Sequence, residues 1–199
     1  QIYCDFSGYS DIAIGTAKLL GFDLMVNFRV PYFSRNIGEF WRRWHISLST
    51  WFRDYVYIPL GGSRGSKWSN LRNVLVIFVV SGFWHGANWT FIIWGLLNAI
   101  YFIPLLLLEQ NRKFTDEIET SRGLPSLRDF GFIVFTFLQT LLAWIFFRSE
   151  TVKEAFDYIG QLVSRIMQLE VGYITMLYLL IPFILMEWNA RLKPNFLEI

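Results

Sequence analysis

Ser81-Gly82-Phe83-Trp84-His85-Gly86-Ala87-Asn88-Trp89 lies in the middle of a run without Lys, Arg, Asp or Glu that extends from Asn73 to Leu108. The run is 36 residues long, about 54 Å as a single helix at 1.5 Å per residue. A bilayer core of about 30 Å needs only about 20 apolar residues, so one span cannot use this length. Two glycines flank a Trp-His pair and an asparagine follows. We therefore read two helical pieces, about 70–83 and 88–108, broken or bent at His85. Non-helical backbone at membrane depth is tolerated only where protein or a wet cavity covers it.

Working outward, a second uncharged stretch runs from Gly131 to Phe147 and a third from Val171 to Met186, the latter with a kink expected at Pro182. Residues 109–130 form a charged connector. Residues 149–168 read as an amphipathic helix lying on the membrane surface, with Val152, Ala155, Phe156, Ile159, Leu162 and Val163 on one side. The first 70 residues are more polar. Residues 9–22 allow a short helix. Over residues 36–58, Trp41, Trp44, Leu48, Trp51 and Tyr55 recur at steps of three and four, the spacing of one helix face. Glu39 and Arg43 are placed to pair on that helix. This segment is too charged to span lipid and suits an interface or the wall of a cavity. The fold class is thus all-α and polytopic. It comprises an interfacial or re-entrant region (1–70), broken membrane helices carrying His85 (71–108), the connector, and C-terminal membrane helices (131–199).

Composition agrees. Of 199 residues, 54% are hydrophobic and 17% charged, and mean hydropathy is +0.36; soluble domains average about 25% charged. Aromatics reach 19%, far from a disordered composition, and the many Trp and Tyr suit membrane–water interfaces. A net charge of +2, scattered along the chain, gives no nucleic-acid footprint. One cysteine, Cys4, excludes an internal disulfide and reads as a small buried hydrophobe. The chain starts at Gln1 without a signal peptide, and we expect a piece of a larger membrane protein. Arg64, Lys67 and Arg72 have no acid nearby in sequence, which places their loop in the cytoplasm.

Few residues are suited to chemistry. The two histidines, His45 and His85, both follow a tryptophan. A titratable ring inside an uncharged run marks either a functional path or a hydrogen-bonded link between helices. Histidine is also the side chain best suited to proton transfer near neutral pH. His45 lies among arginines, where pattern alone favours packing or a surface role. Trp84 adjoins His85, and Asn88 is one turn along. Arg42, Arg43 and Arg53 are candidates for binding phosphate or for snorkelling to lipid headgroups. Asp5 and Asp11 read as caps or arginine partners. No metal-ligand spacing is present, Ser7-Gly8-Tyr9-Ser10 is not a nucleophile elbow, and Gly61-Gly62 is not a P-loop. No cofactor is expected.

Three stretches together resemble the membrane-bound O-acyltransferase family, in particular its bacterial branch that serves alginate O-acetylation. They are Gln1 to Asp11 (QIYCDFSGYSD), Glu39 to Gly62 (with WRRWHIS and YIPLGG), and Gly82 to Trp89 (GFWHGANW). The match is dense over residues 1–100 and looser afterwards; Cys4 departs from it, standing where the family has an aromatic residue. The resemblance implies helices packed around a tunnel through the inner membrane of a bacterial cell. It makes His85 the family's invariant histidine and puts His45 at a second family position. It also implies an acyl thioester donor such as acetyl-CoA, and a partner acyltransferase outside the cytoplasm serving an exported polysaccharide. The alternative is a non-catalytic polytopic scaffold or transport module, which needs only the helices and an intramembrane polar patch.

Overall fold

The computed structural model describes residues 1–115, 124–165 and 171–191. Among these residues every regular element is helical. They are α1 (Ile2–Leu19), α2 (Ile37–Arg43), α3 (Ile46–Phe52), α4 (Lys67–His85), α5 (Trp89–Leu107), α6 (Leu127–Arg148), α7 (Val152–Arg165) and α8 (Val171–Ala190). A 3₁₀ turn at Pro31–Phe33 precedes α2, and a π-helical stretch, Arg53–Tyr57, continues α3.

The N-termini of four of these helices are set by local chemistry. Asn36, Ser66, Asn88 and Ser126 each accept a hydrogen bond from a backbone N–H of the first turn of α2, α4, α5 and α6. Short polar side chains are favoured there because they satisfy amides that the helix leaves unpaired. Two of the helices, α5 and α6, are long and apolar enough to cross a membrane.

The uncharged run divides where a break is expected. α4 ends at His85, Gly86 follows in an extended conformation, and Asn88 caps α5. The two 19-residue helices fold back on each other as an antiparallel hairpin, the most extensive helix pair among the described residues. Glycine permits this proximity: a methyl group on Gly82 would collide with the Phe91 carbonyl oxygen, and one on Gly95 with that of Phe78. α6 packs on α5, α2 lies against both, and α7 rests on α5 and α6.

The core between these helices is aromatic. Trp44 is 4% exposed and stacks on Phe40 at 5.5 Å, with Phe28 and Trp144 both at 5.0 Å. Trp144 in turn stacks on Trp94 at 5.9 Å. Beneath them lies a buried ion cluster. Glu39, 1% exposed, accepts hydrogen bonds from the Arg35 guanidinium at 3.1 Å and from Arg43 Nη2 at 2.8 Å. The expected Glu39–Arg43 pair is therefore present, with Arg35 as a second cation.

Four expectations change. The aromatic segment 36–58 is not one helix. Trp44 is extended, and His45 adopts the left-handed region (φ 45°, ψ 56°), so α2 and α3 meet at a corner and Trp51 and Tyr55 are exposed. The cause is a neighbouring segment: Arg29 N–H donates to the Arg43 carbonyl and Ile46 N–H to the Asn27 carbonyl, both at 3.0 Å. Those bonds satisfy the end of α2 and the start of α3, removing the need for a continuous helix. Cys4 is exposed rather than buried, because α1 turns its neighbour Tyr3 into the core instead. α1 itself is an 18-residue helix beginning at Ile2, well before residue 9. Finally, Lys67 does have an acid nearby, Glu109 at 3.9 Å, brought to it by the antiparallel hairpin. The expected amphipathic helix is present as α7, with Phe156, Leu162 and Val163 exposed and Ala155 buried; the described helix stops at Arg165 and residues 166–168 lie outside the described residues.

Candidate active site

The corner between α2 and α3 and the end of α4 open onto one cavity of about 660 Å³. His45 and His85, forty positions apart in sequence, both line it, as do Trp41, Arg42, Trp84 and Arg53. Its wall is largely the aromatic core, with Phe6, Trp44, Trp94, Trp144 and Phe147 contributing.

His85 occupies the last position of α4, where the helix leaves carbonyls unpaired. Its ring is held by edge-to-face contacts with Trp84 at 4.9 Å, Phe147 at 5.0 Å and Trp94 at 5.2 Å. Such contacts can orient a ring without a hydrogen bond to either nitrogen. His45 meets Phe6 edge-to-face at 4.7 Å. A continuous series of ring contacts then joins the two histidines through Phe6, Phe28, Trp44, Trp144 and Trp94. Burial, reinforced by the charge that His85 can carry nearby, pushes the His45 imidazole down to about 4. His45 is therefore neutral at physiological pH, with one nitrogen a donor and the other an acceptor.

The remaining sequence candidates separate. Arg42 lines the cavity and donates to the carbonyls of Asn111 at 3.0 Å and Phe114 at 2.6 Å, tying α2 to the segment after α5. Arg53 is also at the cavity and pairs with Asp54 at 2.7 Å. Arg43 is directed away, into the ion cluster around Glu39. Asn88 does not line the cavity. Its carbonyl caps α5 and its Nδ2 donates to the Glu150 carbonyl at 2.8 Å. Its hydrogen-bonding capacity is thus committed to holding the α4–α5 turn against the loop before α7. Sequence reasoning missed Phe6, Trp94, Trp144 and Phe147, which carry no chemical signature. It also missed Asn27 and Ser47, which bond to each other beside His45. Among the described residues no group of three or more His, Cys, Asp or Glu converges.

Comparison with known proteins matches the sequence to one family. Residues 1–123 match the model of the MBOAT, membrane-bound O-acyltransferase, family. The probable alginate O-acetylase AlgI of Azotobacter vinelandii is 45% identical over 164 residues, covering 82% of this chain and 31% of the relative. The peptidoglycan O-acetyltransferase of Helicobacter pylori is 42% identical over 165 residues, covering 82% and 30%. The teichoic acid D-alanyltransferase of Streptococcus thermophilus is 31% identical over 159 residues, covering 74% and 38%. The chain thus spans about a third of the length of these relatives. The matched region contains both histidines and the α4–α5 hairpin, and with it the chain belongs to the membrane-bound O-acyltransferase family.

Proposed function

We propose that the complete protein is a polytopic inner-membrane O-acyltransferase. It moves an acetyl group from a cytoplasmic thioester, acetyl-CoA, to a hydroxyl on an exported polysaccharide or on a partner acyltransferase outside the cytoplasm. The observation that carries this reading is the convergence of His45 and His85 on one cavity. The activities in the relatives' names, O-acetylation of alginate or peptidoglycan and D-alanyl transfer to teichoic acid, support the reaction class.

In this mechanism His85 acts as general base. It takes the proton of the acceptor hydroxyl as the oxygen attacks the thioester carbonyl. The resulting tetrahedral oxyanion collapses, the C–S bond breaks, and His85 passes the proton to the leaving sulfur, which departs as the thiol and leaves His85 neutral again. General-base assistance of this kind contributes about 10²–10⁴-fold. His45 lines the same cavity and orients a substrate group. Arg42 and Arg53, at the cavity, and Arg64, on the basic loop, favour the phosphates of the donor. The aromatic wall keeps water from competing for the thioester. The cavity becomes part of a tunnel when the remaining helices of the protein surround it, so donor and acceptor enter from opposite faces.

The test is transfer of labelled acetyl from acetyl-CoA in membranes carrying the complete protein with its acceptor and partner, at matched levels of folded protein. His85→Ala is expected to lower transfer by about 10²-fold or more. Full activity in His85→Ala would remove His85 from the chemistry. No transfer by the wild type would favour a scaffold or transport module, or a different acyl donor.

A further inference from the structure

Three polar contacts beside the cavity constrain the state of His45. The backbone N–H of Ser47 donates to the side-chain oxygen of Asn27 at 3.1 Å. A backbone amide can only donate, so the Asn27 atom facing it is the carbonyl oxygen, Oδ1, and not the amide nitrogen. The Ser47 hydroxyl lies 2.6 Å from the same Oδ1. That oxygen can only accept, so the hydroxyl spends its single proton there. What remains on Ser47 Oγ is lone-pair capacity. His45 Nδ1 lies 3.4 Å from Oγ, and it can bond to those lone pairs only by donating.

The backbone reinforces the arrangement. His45 sits in the left-handed region at the N-terminus of α3, a conformation that few side chains adopt and that histidine tolerates better than most. The Asn27 carbonyl accepts from Ile46 N–H at 3.0 Å, so Asn27 satisfies both of the first two amides of α3 from twenty residues away. The corner, the serine and the ring are held as one unit.

We propose that Asn27 and Ser47 are positioning residues that hold His45 as its Nδ1–H tautomer, and so present Nε2 to the cavity as a hydrogen-bond acceptor for a donor group of the substrate. The idea that this acceptor serves acyl transfer rests on the function proposed above; the tautomer itself does not. Free histidine prefers the opposite tautomer, with the proton on Nε2. The protein environment therefore has to reverse that preference, and the Ser47 hydroxyl is the group placed to do so. A ring nitrogen fixed by a hydrogen bond to its partner nitrogen is a recurring way to set which end of an imidazole reacts.

The direct test is ¹⁵N NMR of the full chain labelled at histidine and prepared without a histidine tag. Subtracting the spectrum of His45→Gln identifies the His45 signals. The expected wild-type result is a neutral ring protonated at Nδ1. Ser47→Ala should return the ring to Nε2–H, while Ser47→Thr, which keeps the hydroxyl, should retain Nδ1–H. An Nε2–H ring in the wild type, or a tautomer that Ser47→Ala leaves unchanged, would overturn the proposal, and the wild-type measurement decides it even if a variant does not fold. Acetyl transfer by the complete protein gives the second readout: Ser47→Ala should lose about tenfold, the worth of one hydrogen bond, and Ser47→Thr should recover most of it. If the complete protein transfers no acyl group at all, the proposed function falls while the spectra still decide the tautomer.

Discussion

Removing the buried carboxylate of Glu39 should be among the most damaging single changes in this chain. Glu39 is 1% exposed. It accepts from Arg35 N–H at 2.7 Å, from Arg35 Nε and Nη2 at 3.1 Å each, and from Arg43 Nη2 at 2.8 Å. The side chains of both arginines are only 12% exposed, so water replaces the lost carboxylate poorly. Breaking a buried pair from one side costs about 3–5 kcal/mol, because the surviving charges stay buried. At about 2–4 °C per kcal/mol for a chain of this size, Glu39→Ala should lower the unfolding midpoint by about 6–20 °C. Tryptophan fluorescence of the detergent-purified protein, heated at one fixed rate, would measure it. Glu39→Gln should fall between wild type and Glu39→Ala, since it keeps one acceptor oxygen but turns an NH₂ group toward a guanidinium. The double variant Glu39→Ala/Arg43→Ala should be less damaged than the sum of the singles, by a coupling of about 0.5–3 kcal/mol. A shift below about 2 °C for Glu39→Ala, or strict additivity in the double variant, would refute the view that this cluster anchors α2.

Two further outcomes follow from the hairpin and from His45. Gly95→Ala places a methyl group against the Phe78 carbonyl and should cost about 1–3 kcal/mol, whereas Gly131→Ala, with nothing within 4 Å, should be neutral or stabilising by up to about 1 kcal/mol; equal midpoints for the two variants would contradict the close approach of α4 and α5. Burial holds His45 at about 4 against an ordinary value near 6.5. The unfolded chain therefore binds more protons between those values, and stability present above about pH 6.5 is lost as the pH falls toward 4. His45→Gln should flatten that part of the midpoint-versus-pH curve, and a curve identical to wild type would show that His45 is not held neutral.

Much of the architecture was legible because it rests on local rules. The charge-free run, its length relative to a bilayer, and the Gly-Phe-Trp-His-Gly interruption were enough to predict two helices meeting near His85, since glycine and a capping asparagine act within a few residues of themselves. The Glu39–Arg43 pair was legible for the same reason, being one helical turn long. The helix over 36–58 failed because its spacing was real but incomplete as evidence. Periodicity cannot register that Arg29 and Asn27 lie alongside residues 43–47 and offer the chain other hydrogen bonds at Trp44 and His45.

The site divides along the same line. The residues capable of chemistry could be named from the sequence, since a chain with two histidines offers little choice, and the three motifs pointed to the family. Only the tertiary structure decided which of them share a space. It brought His45 to His85 and put Arg42 and Arg53 at their cavity. It turned Arg43 inward to Glu39 and committed Asn88 to a carbonyl 62 residues away. It also placed Asn27 and Ser47 beside His45. Each of these outcomes depends on a partner supplied by another element. A buried polar group takes whatever donor or acceptor packing brings within about 3 Å, and sequence spacing carries no record of which one that will be.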